Sequence, residues 1–215
     1  MTISEENYIK VIYHLSLVSP KGVNTNAIAG MLDTKASSVT DMMKKLSDKN
    51  LVSYQKYQGV TLSEKGLQSA KMIVRKHRLW EVFLVDKLGF SWDEVHEIAE
   101  ELEHIKSEKL INKLDAFLGF PVADPHGDPI PDEKGMVKKI EKQLLSDVIL
   151  EKEFHCIGVK DSSAEFLKYL NKQKIALGSK LKIIEREDFD ETLVVEIDEK
   201  RLTISNKIAN NIYVQ

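Results

Sequence analysis

A single cysteine, Cys156, stands in 215 residues. That excludes an intramolecular disulfide framework and a Cys-rich zinc finger. No apolar run approaches the roughly 20 residues that a membrane helix needs. The opening MTISEENYIK lacks the basic-then-apolar layout of a signal peptide. A cytoplasmic protein with no membrane partner is therefore expected. Only five prolines are present. Four of them, Pro121, Pro125, Pro129 and Pro131, sit together with Gly119, Gly127 and Gly135, which marks one irregular connection. No internal repeat or low-complexity segment is found. Apolar residues make up 42% and charged residues 30%, the balance of a soluble folded chain. The length accommodates one large domain or two to three small ones.

The net charge of −3 and pI near 6.1 give no hint of nucleic acid. The distribution does. From Lys21 to Lys71 there are eight Lys against four Asp/Glu, a net of +4. From Asp86 to Glu133 there are four Lys against thirteen Asp/Glu, a net of −9. A basic front precedes an acidic middle.

The first 62 residues read as three helices and a hairpin. Helices are expected from about Ser4 to Leu17, from about Thr25 to Leu32 behind an Asn24 cap, and from about Ala36 to Lys49. In the third, Val39, Met42, Met43 and Leu46 follow i, i+3, i+4, i+7. Short strands, Leu51–Tyr54 and Val60–Leu62, flank a polar tip. This is the order of a winged helix-turn-helix. The small polar front of helix three (Lys35, Ser37, Ser38, Thr40) suits a major groove, and Lys44, Lys45, Lys49 and Lys56 suit phosphates. Tyr57 flanks the wing tip. Each of these residues alone favours the reading as a helix start or a solvated face; the ordered set of elements favours DNA.

A long helix, about Ser63 to Leu88, ends at Gly89. Ser91 and Glu94 have capping-box spacing, and a helix is expected from Trp92 to about Phe117, with a stripe of Val95, Ile98, Ala99, Leu102 and Ile105 facing a core or a partner subunit. A further helix is expected from Met136 to about Leu145. From about Phe154 the chain changes character: a capping-box pattern at Ser162–Glu165 introduces a helix, and short alternating strands follow, Leu181–Ile184, Leu193–Ile197 and Arg201–Ile204. A small β-barrel is expected there.

The acidic middle carries the sharpest chemistry. His96, Glu100 and His104 fall at i, i+4, i+8, and Glu103 lies one turn after Glu100, so the four share a helical face. His77 and Glu81 are also i, i+4 on the preceding helix, and Asp124 and His126 flank Pro125. Glu and His on an acidic helix are usually a solvated face. Yet six acids crowd the eleven residues from Asp93 to Glu103 with no base among them, which is self-repelling unless a cation compensates. Imidazole with carboxylate suits a divalent transition ion, and a carboxylate-rich set suits Mn(II) or Fe(II) over soft metals. An enzyme is not expected: Glu100 stands where a zincin helix has its second His, and no GxSxG, P-loop or nucleophile–base pair is present. Cys156 beside His155 reads as a strand residue.

With these residues in view, the chain resembles the diphtheria-toxin-repressor and manganese-transport-repressor family of dimeric, metal-activated transcriptional repressors. The resemblance spans essentially all 215 residues and is strongest at Glu6–Tyr13, Ser37–Thr40, Lys56–Gly59, Arg75–Leu79, His96–His104 and Pro125–Pro131. It implies a mainly α protein with a small β part: a winged helix-turn-helix at 1–71, a helical dimerisation and metal-binding domain at 72–145, and an SH3-like (FeoA-like) domain at 146–215. It also implies a primary metal site of Glu100, Glu103, His104 and the residue-7 side chain, here Asn7, and an ancillary site of His77, Glu81 and His96. Asp124 and His126 join in some manganese-sensing members. From the SH3-like domain Asp161 is the preferred additional ligand, with His155 second.

Iron-sensing members place Cys at position 100 and Met at position 7. Glu100 replaces a soft thiolate with a hard oxygen, which tilts the expectation to Mn(II), with Fe(II) as the alternative. Short manganese sensors have Asp and Glu where this chain has Asn7 and Lys10. Those two residues favour the further alternative of a winged-helix regulator that no longer senses metal. The Irving–Williams order implies that Zn(II), Co(II) or Ni(II) substitutes in vitro. The partners implied are double-stranded operator DNA and a second copy of the chain, and the regulated genes are those for metal-ion uptake. Glu103→Ala and His104→Ala are both expected to abolish metal response with the fold intact.

Overall fold

The computed structural model describes residues 1–55, 59–150, 152–197 and 200–215, with the backbone alone for Gln55. Lys56 and Tyr57, assigned above to the wing tip, lie outside the described residues. The chain forms two compact units. One comprises Met1–His77, Glu101–Lys109 and Pro131–Met136; the other comprises Arg78–Glu100, Leu110–Ile130 and Val137–Gln215.

In the first unit, α1 (Ile3–Val18) starts at a capping box. The Thr2 hydroxyl accepts from Glu5 N–H, and Glu5 accepts from Thr2 N–H at 3.0 Å, which satisfies two end donors reciprocally. Helix α2 (Thr25–Met31) is capped by the Asn24 side chain. Helix α3 (Ala36–Asp48) follows. Strands β1 (Val52–Gln55) and β2 (Gly59–Leu62) pair antiparallel, Val52 opposite Leu62. A bridge from Val23 to Val60 adds a third strand position to the hairpin. The core takes in Val39, Met43 and Leu46 of the face expected on α3, together with Ile9, Ile12, Ile28 and Val60, all fully buried, each worth about 1.5–3 kcal/mol of transfer free energy. Gly66 lets α4 (Glu64–Leu88) pass over the end of α3, because a Cβ there would lie 1.9 Å from the Leu51 carbonyl oxygen.

Glu5 adds a polar tie. Its buried carboxylate lies 3.0 Å from Lys45 Nζ and 2.7 Å from Lys49 Nζ, at the C-terminal end of α3. The Lys49 hydrogen bond, outweighing burial and helped by Lys45, holds the Glu5 carboxyl down at about 2. Lys45 and Lys49, expected to face phosphates, thus anchor α3 to α1.

The second unit departs from expectation in its helices. The single helix expected over Trp92–Phe117 is two, α5 (Val95–Leu102) and α6 (Glu108–Phe117). Ser91 N–H and Oγ both donate to Glu94, but they close a turn and α5 begins only at Val95. Val95 and Ala99 are fully buried within the chain. Exposed apolar side chains of this unit include Leu88, Leu110, Phe117 and Phe120. The helix expected from Met136 is absent. Asp132 Oδ1 accepts from Lys134 and Met136 N–H with Gly135 at φ +77°, and that turn leads through irregular chain to β3 (Gln143–Leu144) and a 3-10 turn at Leu145–Asp147.

The C-terminal part of this unit contains β4 (Glu153–Val159), α7 (Ala164–Gln173), β5 (Lys180–Arg186), β6 (Leu193–Ile197), β7 (Lys200–Ile204), α8 (Asn206–Ala209) and β8 (Ile212–Val214). They form an antiparallel sheet in the order β3-β8-β4-β5-β6-β7. In β6, Leu193, Val195 and Ile197 point inward in alternation. They pack with Leu145, Phe154, Cys156, Leu170, Leu181, Ile183 and Val214. The N-cap of α7 is Ser163, with no side-chain cap bond, so the Ser162–Glu165 spacing marks the right place without forming its box.

Candidate metal centres and nucleic-acid interface

In the first unit, ionisable side chains from α1, α4 and the turn after α5 come together. Glu103, fully buried, presents two oxygens in different situations. Its Oε2 accepts from Lys10 Nζ at 2.7 Å and lies 2.8 Å from His77 Nδ1. Its Oε1 has no hydrogen-bond partner, and neither has the buried Asn7 Oδ1. Burial alone would raise the Glu103 carboxyl, yet the bonds from His77 and Lys10 hold it below the usual carboxylate range.

His104 completes the set. Its Nδ1 lies 2.7 Å from Glu6 Oε2. With Nδ1–H donating to that carboxylate, Nε2 keeps its lone pair, and Nε2 stands 3.9 Å from Glu103 Oε1. That separation is too long for a hydrogen bond, and the two residues would be free to hold a divalent ion together. A carboxylate orienting the far nitrogen of an imidazole is the usual support of a metal-bound His. An orphaned buried oxygen of Glu103 near an oriented imidazole nitrogen fits a divalent cation, since buried polar atoms otherwise find partners, and Asn7 Oδ1 on α1 is a second orphan. Glu6 is absent from the sequence-derived set. The sign that marks it is position: Glu6 lies one turn before Ile9 and Lys10, on the inward face of α1.

The second unit holds a cluster of its own residues. Glu81, Asp124 and His126 are all buried, and one ligand atom from each lies within 4.8 Å of the others. Glu81 Oε2 is 3.6 Å from His126 Nδ1, and Glu81 Oε1 is 3.6 Å from the more exposed His96 Nδ1. His96 Nε2 is 3.5 Å from Glu100 Oε1. His126 Nε2–H donates to the Trp92 carbonyl at 2.9 Å, and its ring stacks on Trp92 with the planes 8° apart. This leaves Nδ1 toward Glu81. Burial alone would lower the His126 pKa, but the Glu81 and Asp124 carboxylates raise it to about 9. Burial, with Glu81 and Asp128 adding, raises Asp124 to about 7 against the pull of Arg78.

Asp124 is already well used. Its Oδ1 accepts from His126 and Asp128 N–H, and its Oδ2 lies 3.3 Å from Arg78 Nε. The loop is pinned behind it: Val159 N–H donates to the His126 carbonyl, and Gly127 at φ +83° passes so close to β4 that a Cβ would lie 2.2 Å from the Ile157 oxygen. Sequence reasoning missed Arg78 and the Trp92 carbonyl, neither of which has a spacing signature.

The sequence-derived residues are distributed as follows. Asn7, His77, Glu103 and His104 belong to the first unit; Glu81, His96, Glu100, Asp124 and His126 belong to the second. Asp161 is exposed, and its Oδ1 accepts from Ser163 N–H ahead of α7. His155 is exposed on β4. Cys156 is buried, which pushes its thiol up to about 11, so both clusters rest on nitrogen and oxygen donors.

On the first unit's surface, Lys35, Ser37 and Ser38 are exposed at the start of α3. Thr40 is half-buried and its hydroxyl donates back to the Ala36 carbonyl. Lys44 is exposed beside Asp41 at 3.2 Å. The front of α3 is therefore polar and open from Lys35 to Ser38, with its apolar side on the core.

Residues 1–60 match the N-terminal DNA-binding domain of the iron-dependent repressors, and residues 63–132 match their metal-binding and dimerisation domain. Residues 143–215 match the FeoA domain. The HTH-type transcriptional regulator MntR of Oceanobacillus iheyensis is 32% identical over 144 residues, which is 66% of this chain and 95% of that protein. The chain belongs to the iron-dependent repressor family. The iron-dependent repressor IdeR of Mycobacterium tuberculosis is 34% identical over 126 residues, 59% of this chain and 54% of its own length. A solved manganese-dependent transcriptional repressor in complex with manganese is similar across 98% of both chains, at 33% identity and a TM-score of 0.77.

Membership of the family gives the fold class expected from the sequence: winged helix, helical metal-binding domain and SH3-like β domain. The family consists of DNA-binding, metal-dependent transcriptional regulators that dimerise, and not of enzymes. Among the described residues, no helix is long and apolar enough to cross a membrane.

Proposed function

We propose that this chain is a Mn(II)-responsive, metal-activated repressor of metal-ion uptake genes that acts as a homodimer in the cytoplasm. One observation carries the reading. Glu103 Oε1, buried and without a hydrogen-bond partner, lies 3.9 Å from Nε2 of the His104 ring that Glu6 orients, and the likewise orphaned Asn7 Oδ1 belongs to α1, the helix that Glu5 ties to α3. A divalent ion at this point adds a charge link between α1 and the Glu103–His104 turn. Asn7, Glu103 and His104 hold it in the first unit, and Glu6 fixes the His104 ring. Glu81, Asp124 and His126, with His96 and Glu100 beside them, are the proposed ligands of the second unit.

The donors are carboxylate, amide and imidazole, with no sulfur, which favours Mn(II). Fe(II) is the second reading, favoured by the similarity to IdeR. A regulator that no longer senses metal is the third, and the Lys10–Glu103 pair is the observation that favours it. Lys35, Ser37 and Ser38 are proposed to read or grip operator DNA from the start of α3, with Lys44 on phosphate. Lys56 and Tyr57 stay with this proposal on the sequence pattern alone. Residues 1–71 would bind DNA, 72–145 bind metal and dimerise, and 146–215 form the SH3-like part. The exposed Leu88, Leu110, Phe117 and Phe120 supply the apolar surface that a dimer of this kind requires.

Metal acts on DNA binding only through different affinity for two states, and a shift from 1:99 to 99:1 requires about 5.5 kcal/mol. The test is anaerobic capture of sheared DNA from the source genome, in parallel with Mn(II), Fe(II) and a chelator. Recovery of a few promoter fragments with Mn(II), and not with chelator, is the expected result. Stronger recovery with Fe(II) moves the reading to iron. Equal recovery in chelator removes metal from the mechanism.

A further inference from the structure

We propose that Lys10 is a resident cation of the first-unit cluster that sets how weakly this cluster binds its divalent ion. The inference rests on the metal-responsive reading above and concerns the affinity of that same site. Lys10 is 7% exposed in the folded chain, unusual for a lysine, and its ammonium lies 2.7 Å from a carboxylate 93 residues away in sequence. The same oxygen, Glu103 Oε2, also faces His77 Nδ1 at 2.8 Å. Glu103 therefore meets an incoming ion with Oε1 alone.

Charge counting gives the direction. The first-unit cluster contains the carboxylates of Glu6 and Glu103, the amide of Asn7 and the imidazoles of His77 and His104. Against these stand Lys10 and the half-buried Lys76, whose ammonium lies near enough to Glu6 and Glu103 to feel both, and 3.5 Å from the Ile105 carbonyl. With the imidazoles neutral, the two ammonium groups offset the charges of Glu6 and Glu103. A dication entering this cluster meets the Lys10 ammonium across the width of one carboxylate. A neutral side chain at position 10 makes the cluster one charge more negative and leaves His77 alone on Glu103 Oε2. Both changes tighten binding.

The test is Mn(II) binding to the full-length chain, read from the electron paramagnetic resonance signal of the free ion, for the native chain, Lys10→Met, Lys10→Gln and Lys10→Arg. Lys10→Met and Lys10→Gln are expected to bind Mn(II) at least tenfold more tightly than the native chain, with Lys10→Arg within threefold of it. Adding His104→Ala to Lys10→Met should remove the tightened site. Without metal, both neutral variants melt at a lower temperature, and Mn(II) raises their melting temperature more than it raises that of the native chain.

A purely structural lysine would lower melting temperature and leave affinity unchanged. Affinities of both neutral variants within twofold of native therefore overturn the proposal; should Lys10→Met fail to fold, Lys10→Gln decides. Loss of Mn(II) response by the native chain, with tight binding by a neutral variant, sinks the metal-responsive function and supports the role of Lys10. No binding by any of the proteins overturns both.

Discussion

Glu103→Ala deletes both a proposed metal ligand and the buried partner of Lys10. In the sequence it looks like a clean ablation of metal response. In the structure it is not. Glu103 is 0% exposed, and its Oε2 closes a 2.7 Å bond with an ammonium that is itself 7% exposed. Breaking a buried ion pair by removing one partner typically costs about 3–5 kcal/mol. The bond to His77 at 2.8 Å goes as well, a loss of about 1 kcal/mol. A domain is stable by only about 5–15 kcal/mol, so the variant spends a large part of its margin. His104→Ala removes one partly buried bond to Glu6, at about 1–2 kcal/mol, and touches no lysine. The two variants should thus part company. Both lose metal-dependent operator retention in a gel-shift assay with and without Mn(II). Only Glu103→Ala loses several kcal/mol in urea unfolding of the metal-free protein. A Glu103→Ala protein within about 1 kcal/mol of native would refute the assignment of Lys10–Glu103 as a stabilising buried pair. His104→Ala that still needs metal to bind DNA would refute the ligand set.

Other consequences are as direct. With Glu5 held at about 2 against an ordinary 4.5, its ties to Lys45 and Lys49 stabilise the fold above pH 4.5, and that contribution fades as pH falls through 2. Glu5→Gln should lower stability near neutrality by about 1 kcal/mol, given the exposure of both lysines, and flatten the acid limb of a urea-unfolding pH series. His126 is raised from 6.5 to about 9, so its contribution is complete below pH 6.5 and is lost as pH rises through 9. Metal-free protein should weaken across that window by calorimetry, and His126→Gln should not show the slope. Gly127→Ala places a Cβ 2.2 Å from the Ile157 oxygen at φ +83°, and should cost more than about 3 kcal/mol in melting experiments.

What the sequence discloses is whatever repeats within a turn or two. Val39, Met43 and Leu46 announce α3 because their spacing is that of a helix face, and all three are fully buried. Leu193, Val195 and Ile197 announce β6 for the same reason at period two. Strand β4 shows only at Cys156, and β8 escapes notice. Residues 212–214 are only three long, and they become a strand through pairing with β3 and β4, a register that no local pattern encodes. The candidate clusters are legible residue by residue. Glu103 and His104 stand out by spacing, whereas Glu6 and Lys10, which pair with them, and Arg78, which pairs with Asp124, have partners that are distant in sequence.

The break between α5 and α6 shows why periodicity misleads at a functional site. The apolar stripe Val95, Ile98, Ala99, Leu102, Ile105 keeps helical spacing straight through residues 103–107, so pattern reading sees one helix. Yet α5 ends at Leu102. A continuous helix keeps Glu103 and His104 adjacent around the axis, about 100° apart. The structure asks more of them: Glu103 must reach Lys10 and His77 while His104 reaches Glu6 on α1 and turns Nε2 toward Glu103 Oε1. Leaving the helix at this point frees the two backbone torsions that let neighbouring residues converge on one cluster. The only local trace is Ser107, a residue type that favours the cap position, immediately before α6. The demand that breaks the helix is a tertiary one, set by α1 some ninety residues earlier in the chain.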